Sequence, residues 1–106
     1  MTEKSIEISN NDYWFKVVDM LQQNWALIES KENEYIIYFI GDTSGVFDQM
    51  AFVNSEEAER QLRKNGFSRY AEDTKAQEFI IPPSPPFYES THPNGPIYSS
   101  GRFWTR

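Results

Sequence analysis

A chain of 106 residues and 12.5 kDa has room for one domain, 1–106, whose modest core takes up roughly two-thirds of the unfolded surface. Sixteen Asp and Glu against ten Lys and Arg leave a net charge of −6, which disfavours unspecific contact with nucleic acid or anionic membrane and favours a basic protein partner. The absence of Cys and the single His exclude disulfides, thiol nucleophiles, thiolate metal sites and His-pair metal motifs, while 8 Phe, 6 Tyr and 3 Trp argue for a folded chain.

Residues 1–11 are polar apart from Ile6 and Ile8 and read as a flexible N-terminus or an edge strand. They hold no apolar run of signal-peptide length, and no later segment suits a bilayer, so a cytoplasmic location is expected. Ser9, Asn10, Asn11 and Asp12 then offer capping side chains, and Trp14, Val17, Val18 and Leu21 fall at i, i+3, i+4 and i+7. This spacing predicts a helix over Asp12 to Gln23. Trp25 to Ser30 and Glu34 to Ile40 read as a hairpin around Lys31-Glu32-Asn33. The second run is apolar on both pleat faces and therefore reads as a central strand covered from both sides.

Gly41-Asp42-Thr43-Ser44-Gly45 is a loop with two glycines available for positive φ. Val46 to Val53 follows as a third strand, with Val46, Met50 and Phe52 expected on the face of Asp48. A second helix begins at Asn54 or Ser55 and runs to Lys64, with Glu56–Arg60 and Glu59–Arg63 as i, i+4 pairs. Asn65-Gly66 supplies its stop and Phe67 its closing hydrophobic contact. A third, shorter helix is expected from Asp73 towards Phe79, turning Ala76, Phe79 and Ile80 inward.

Composition changes at Pro82. Residues 82–106 contain all six prolines and carry +1, whereas the body up to residue 81 carries −7. Pro82-Pro83-Ser84-Pro85-Pro86 should be extended, and Phe87, Tyr88, Ile97, Tyr98, Phe103 and Trp104 suit a tail that wraps the core, with Asn94-Gly95 as a turn. The expected fold is thus α+β, a three-stranded antiparallel sheet over residues 12–81 packed with two or three helices, and a wrapping tail over 82–106.

One string has a catalytic look. Asp42-Thr43-Ser44-Gly45 matches the loop of dimeric aspartic proteases, in which two carboxylates share a proton. The downstream chain lacks the hydrophobic-hydrophobic-Gly segment that buttresses such a loop. His92 could act as a base only with an orienter and a nucleophile in reach. Asp42, Asp48 and Glu34 do not follow EF-hand spacing. A small enzyme using His92 or the Asp42 loop therefore stands as the alternative. No catalytic residue, cofactor or metal ligand is assigned.

The acidic body is the more usable signal. Glu32, Glu34, Asp42, Asp48, Glu56 and Glu57 are the candidate partner-binding residues, able to steer a basic partner into contact. Tyr13, Tyr35, Tyr88 and Tyr98 would suit interface anchors. An acidic mimic of nucleic acid, inhibiting a DNA-binding protein, shares these electrostatics.

Trp25-Ala26-Leu27-Ile28-Glu29, then Tyr38-Phe39-Ile40 before Asp42-Thr43-Ser44-Gly45-Val46-Phe47-Asp48, then Asn65-Gly66-Phe67 form one set of strings. The tail adds Pro82 to Phe87, and His92-Pro93-Asn94-Gly95-Pro96-Ile97-Tyr98-Ser99-Ser100-Gly101-Arg102-Phe103-Trp104. Together they resemble a small bacterial family of immunity proteins encoded beside polymorphic toxins, including those of contact-dependent growth inhibition. The resemblance implies a cytosolic monomer that binds 1:1 to the toxic C-terminal domain of a delivered toxin, often a nuclease, and it brings no catalytic residues.

Overall fold

The computed structural model describes residues 5–19, 22–41 and 44–89, and from Trp14 to Phe52 these are strand and turn throughout. In chain order the elements are β1 (Ser5–Ile6), β2 (Trp14–Asp19), β3 (Gln22–Lys31), β4 (Glu34–Ile40), β5 (Gly45–Phe52), α1 (Ser55–Lys64) and β6 (Ser68–Arg69). A 3-10 turn (Tyr70–Glu72), α2 (Thr74–Phe79) and β7 (Phe87–Glu89) complete them. One sheet runs in the order β1-β7-β5-β4-β3-β2-β6, antiparallel except for the parallel pair β5–β7. The expected three-stranded antiparallel sheet is therefore corrected to a seven-stranded mixed one. The hairpin β3–β4 and strand β5 stand as anticipated, but four further strands flank them. Among the described residues no helix is long and apolar enough to cross a membrane.

The helix expected over Asp12 to Gln23 is instead β2 and the start of β3. Its apolar stripe left Phe15 on the polar side. In the strand, Trp14 and Phe15 point to opposite faces and both are buried, at 1% and 8% exposure. The capping residues serve another purpose: the Asn10 side chain accepts from the Asp12 amide at 2.7 Å and donates to the Ile28 carbonyl. This Asx turn fixes the chain against the edge of β3.

Strand β4 buries both its faces, as its composition requires. One face, with Ile37 and Phe39, joins Trp14, Ala26, Ile28 and Phe52 under Ala58 and Leu62 of α1 and Phe67. The other, with Tyr38 and Ile40, joins Phe15, Trp25, Leu27, Val46 and Phe87, with Tyr70, Ala76 and Ile80 packed over them. A register shift separates the pairs Phe39–Asp48 and Ile40–Val46. The extra residue at Phe47 sends Val46 to the second face while Met50 and Phe52 stay on the first, which corrects their expected common face.

Helix α1 begins and ends as its sequence directs. The Asn54 side chain accepts from the Glu57 amide at 2.7 Å. Gly66, at φ 90°, lets the Phe67 amide reach the Leu62 carbonyl at 2.9 Å. The expected i, i+4 ion pairs do not form: Arg60 pairs with Glu57, and Arg63 with Glu72. Asp73, expected as the start of this helix, is the N-cap of α2, but Phe79 is 78% exposed instead of buried, because only Ala76 and Ile80 reach the second cluster.

Residues 80–86 cross the second face as an extended strap. Hydroxyl groups pin it by its carbonyls: Tyr70 donates to Ile80 at 2.8 Å, Tyr13 to Pro83 at 2.5 Å, and Ser44 to Ser84 at 2.6 Å. Carbonyls are the available handle, since proline has no N–H. Phe87 then enters the second cluster, and β7 lies between β1 and β5. Residues 5–6 of the N-terminal segment, read as either flexible or an edge strand, form the strand at this edge. The expected turn at Asn94-Gly95 and the aromatic residues from Ile97 to Trp104 lie outside the described residues.

The strap's contribution is measurable. Tyr13→Phe should cost about 0.5–1.5 kcal/mol in urea unfolding at neutral pH, the worth of one hydrogen bond, and Phe87→Ala about 3–5 kcal/mol. Burial pushes the Tyr13 phenol above its ordinary range. A raised folded value means the protonated form is favoured on folding, so this stabilisation is complete below the ordinary tyrosine pKa of about 10 and is lost as pH rises through the folded value. The stability gap between wild type and Tyr13→Phe should therefore narrow above pH ~10.

Candidate functional site

The hairpin β3–β4 turns in two residues, Glu32 and Asn33, with Lys31 opposite Glu34. Glu32 holds φ 52°, so a left-handed residue sits at the tip. Strand β5 returns to the same end, where Phe52 lies opposite Tyr35, and three residues later α1 begins. The hairpin and the helix start meet there: Ser30, Tyr35, Ser55 and Glu59 line one cleft of about 290 Å³. Glu32 and Glu34 in the hairpin and Glu56 and Glu57 in the first turn of α1 thus lie towards the same end of the sheet, Glu34 with the parity of Ile36 on the second face and α1 over the first.

Asp48 does not join them. It lies opposite Phe39, near the other end of a strand pair whose seven β4 residues span about 20 Å, and it accepts from the Gln49 amide at 2.8 Å. Asp42 and Thr43 lie outside the described residues, as does His92. Among the described residues of their loop, Ser44 holds positive φ (71°) and neither of the two glycines does, and the Ser44 hydroxyl holds the strap. Glu34 and Asp48 are too far apart to share an ion. Among the described residues no group of three or more His, Asp or Glu is placed to hold a metal.

The four carboxylates towards the hairpin end differ in state. Arg60 grips Glu57 at 2.6 Å and the Gln61 amide adds a bond at 3.1 Å; hydrogen bonding to Arg60 holds the Glu57 carboxyl below its ordinary range. Glu32, Glu34 and Glu56 are exposed, and among the described residues their carboxylates have no hydrogen-bond or ion-pair partner. Lys31 is the nearest cation in register, but its ammonium lies 5.7 Å from the Tyr38 ring centre, and hydrogen bonding to Tyr38 raises its pKa.

Other acidic residues serve the fold, which charge alone did not reveal. Glu29 accepts from the Ser9 amide (3.1 Å), the Ser9 hydroxyl (2.8 Å) and the Asn10 amide (3.2 Å), fastening the N-terminal segment. Asp12 takes the Arg69 guanidinium through two nitrogens, which raises the pKa of that arginine. Arg63 lies 4.8 Å and Arg69 5.8 Å from the centre of the buried Trp14 ring. An Asp two residues before a Trp, facing a distant Arg, has no local signature in sequence. Of the tyrosines read as anchors, Tyr13 clamps the strap, Tyr35 packs on the first cluster, Tyr88 lies in β7 and Tyr98 is outside the described residues.

Comparisons of the chain with protein-family models, with curated proteins and with solved structures found no match.

Proposed function

We propose that this chain is an inhibitory binding protein of the immunity type, which sets its acidic sheet end against the basic active-site cleft of a bacterial toxin domain, an RNase-like nuclease, and excludes the substrate. One observation carries the reading: Glu32 and Glu34 at the hairpin and Glu56 in the first turn of α1 are exposed towards the same end of the sheet, with no cation matched to them among the described residues. Clefts that bind phosphate are cationic, so a row of carboxylates is their electrostatic complement. The immunity-family resemblance of the sequence strings supports the same reading.

The test uses the purified full chain and the C-terminal domain encoded by the reading frame immediately upstream. A 1:1 complex should form, with an association rate that falls as salt rises and the Debye length shrinks from about 10 Å at 0.1 M to about 3 Å at 1 M. Glu34→Lys and Glu56→Lys together should slow association by at least about tenfold and remove growth protection, whereas Asp48→Lys should change binding by less than about 1 kcal/mol. No complex, or protection lost only with Asp48→Lys, would overturn the reading.

Glu32→Gly separates binding from stability at the hairpin tip. Glycine accepts positive φ without the cost of about 1–2 kcal/mol borne by other residues, so the unfolding free energy should hold or rise while association slows. A fall in both would place Glu32 in the fold alone.

A further inference from the structure

We propose that the outer face of β5 around Ala51, with Ile36 beside it and Val53 just beyond, is the apolar centre of a docking surface for a basic protein; this rests on the binding function proposed above and names its surface. Ile36 and Ala51 are directly paired across β4 and β5, on the second face of the sheet. Among the described residues, the other parts of that face lie elsewhere. Tyr70, Ala76 and Ile80 gather with Phe15 and Trp25, and the strap crosses by Tyr13 and Ser44. Gln49 and Ala51 are left exposed, and Val53 is 80% exposed. Beside them an open depression of about 740 Å³ is bounded by Glu32, Glu34 and Ile36.

This is the anatomy of an interface: an apolar patch against a charged rim. Ala51 is the small residue of the three, so a partner side chain can settle between Ile36 and Val53. The rim selects its chemistry. Glu32 and Glu34 are acidic and unmatched among the described residues, Lys31 in the same rim is drawn towards Tyr38, and Glu29 in register with Ile36 is engaged by Ser9 and Asn10. A Lys or Arg of the partner can lay its apolar stem over Ala51 and bring its charge to the rim. A second copy of this chain is disfavoured, because it would set the two acidic rims together.

The probe is again the domain encoded by the upstream frame, with full-length variants of this chain. Ala51→Glu fills the patch and adds a negative charge, and Val53→Arg fills it with a positive one. Each should weaken the complex at least about thirtyfold, mainly by faster dissociation, as loss of an interface centre does. Phe79→Arg, at an exposed apolar position on α2, should leave affinity within about threefold. Wild-type binding that survives Ala51→Glu and Val53→Arg overturns the surface alone, whereas a wild type that does not bind overturns the inhibitory reading and the surface with it. Loss of affinity with Phe79→Arg in place of Ala51→Glu moves the interface to α2 and overturns the proposal. Melting temperatures distinguish the remaining occupants: a fall of more than about 5 °C for Ala51→Glu shows the chain covering this face itself. A dimer that Ala51→Glu dissolves assigns the face to a second copy; either result overturns the proposal.

Discussion

Strand β4 sets the terms for the rest of the molecule. From Ile37 to Ile40 every residue is buried, two on each face, so the sheet needs a cover on both sides. Leaving one face open would expose several large side chains, each worth about 1.5–3 kcal/mol when fully buried. The two covers are made differently. Helix α1 covers the first face by a thin stripe, Ala58 and Leu62, finished by Phe67 where the chain leaves the helix. Among the described residues the second face has no helix of comparable length; α2 contributes Ala76, and Ile80 follows it. An extended strap and the aromatic side chains of Phe15, Trp25 and Tyr70 supply the remainder.

A strap without regular structure has to place its backbone polar groups, and the proline-rich stretch simplifies the problem by having few donors. Its carbonyls then need donors from elsewhere, and hydroxyls from β2's approach, from the Ser44 loop and from the 3-10 turn provide them. The strap delivers Phe87 and β7 to the sheet, where β7 pairs with both β1 and β5. The N-terminal strand therefore has a partner only because residues 80–86 have crossed the face. The two ends of the described chain depend on one another, although more than 80 residues separate Ser5 from Tyr88.

Local signals in the sequence were sufficient where a short segment decides its own conformation. The hairpin around Glu32-Asn33, the cap at Asn54, the glycine stop at Gly66 and the cap at Asp73 all depend on neighbours within a few residues. Segment Trp14 to Asp19 failed because its apolar spacing fits two periods, and the choice rests on partners far away: Trp25 and Ala26 across one edge, Ser68 and Arg69 across the other. Two-residue strands such as β1 and β6 exist only through such pairing and carry no pattern of their own. At the candidate site, charge identified the right kind of residue without sorting it. Glu29, Glu57, Asp48, Glu32 and Glu34 are alike in sequence, and only the register shows which are engaged and which share an end.

That sorting bears on why the acidic end is left as it is. Among the described residues Arg60 is held by Glu57, and Arg63 and Arg69 lie by Trp14 and meet Asp12 and Glu72. Arg63 and Arg69 there cover an aromatic ring and fasten β6 and the 3-10 turn, so they are not available to the hairpin. Glu32, Glu34 and Glu56 are left without a cation among the described residues, and one brought from outside would match them. A partner that supplies it binds the folded chain and not the unfolded one, and so adds to stability by mass action. The exposed Ala51 face has the same character: apolar surface that the described residues leave open and an interface would cover. Charge and apolar exposure lie at one end of one strand pair, and a single contact can answer both.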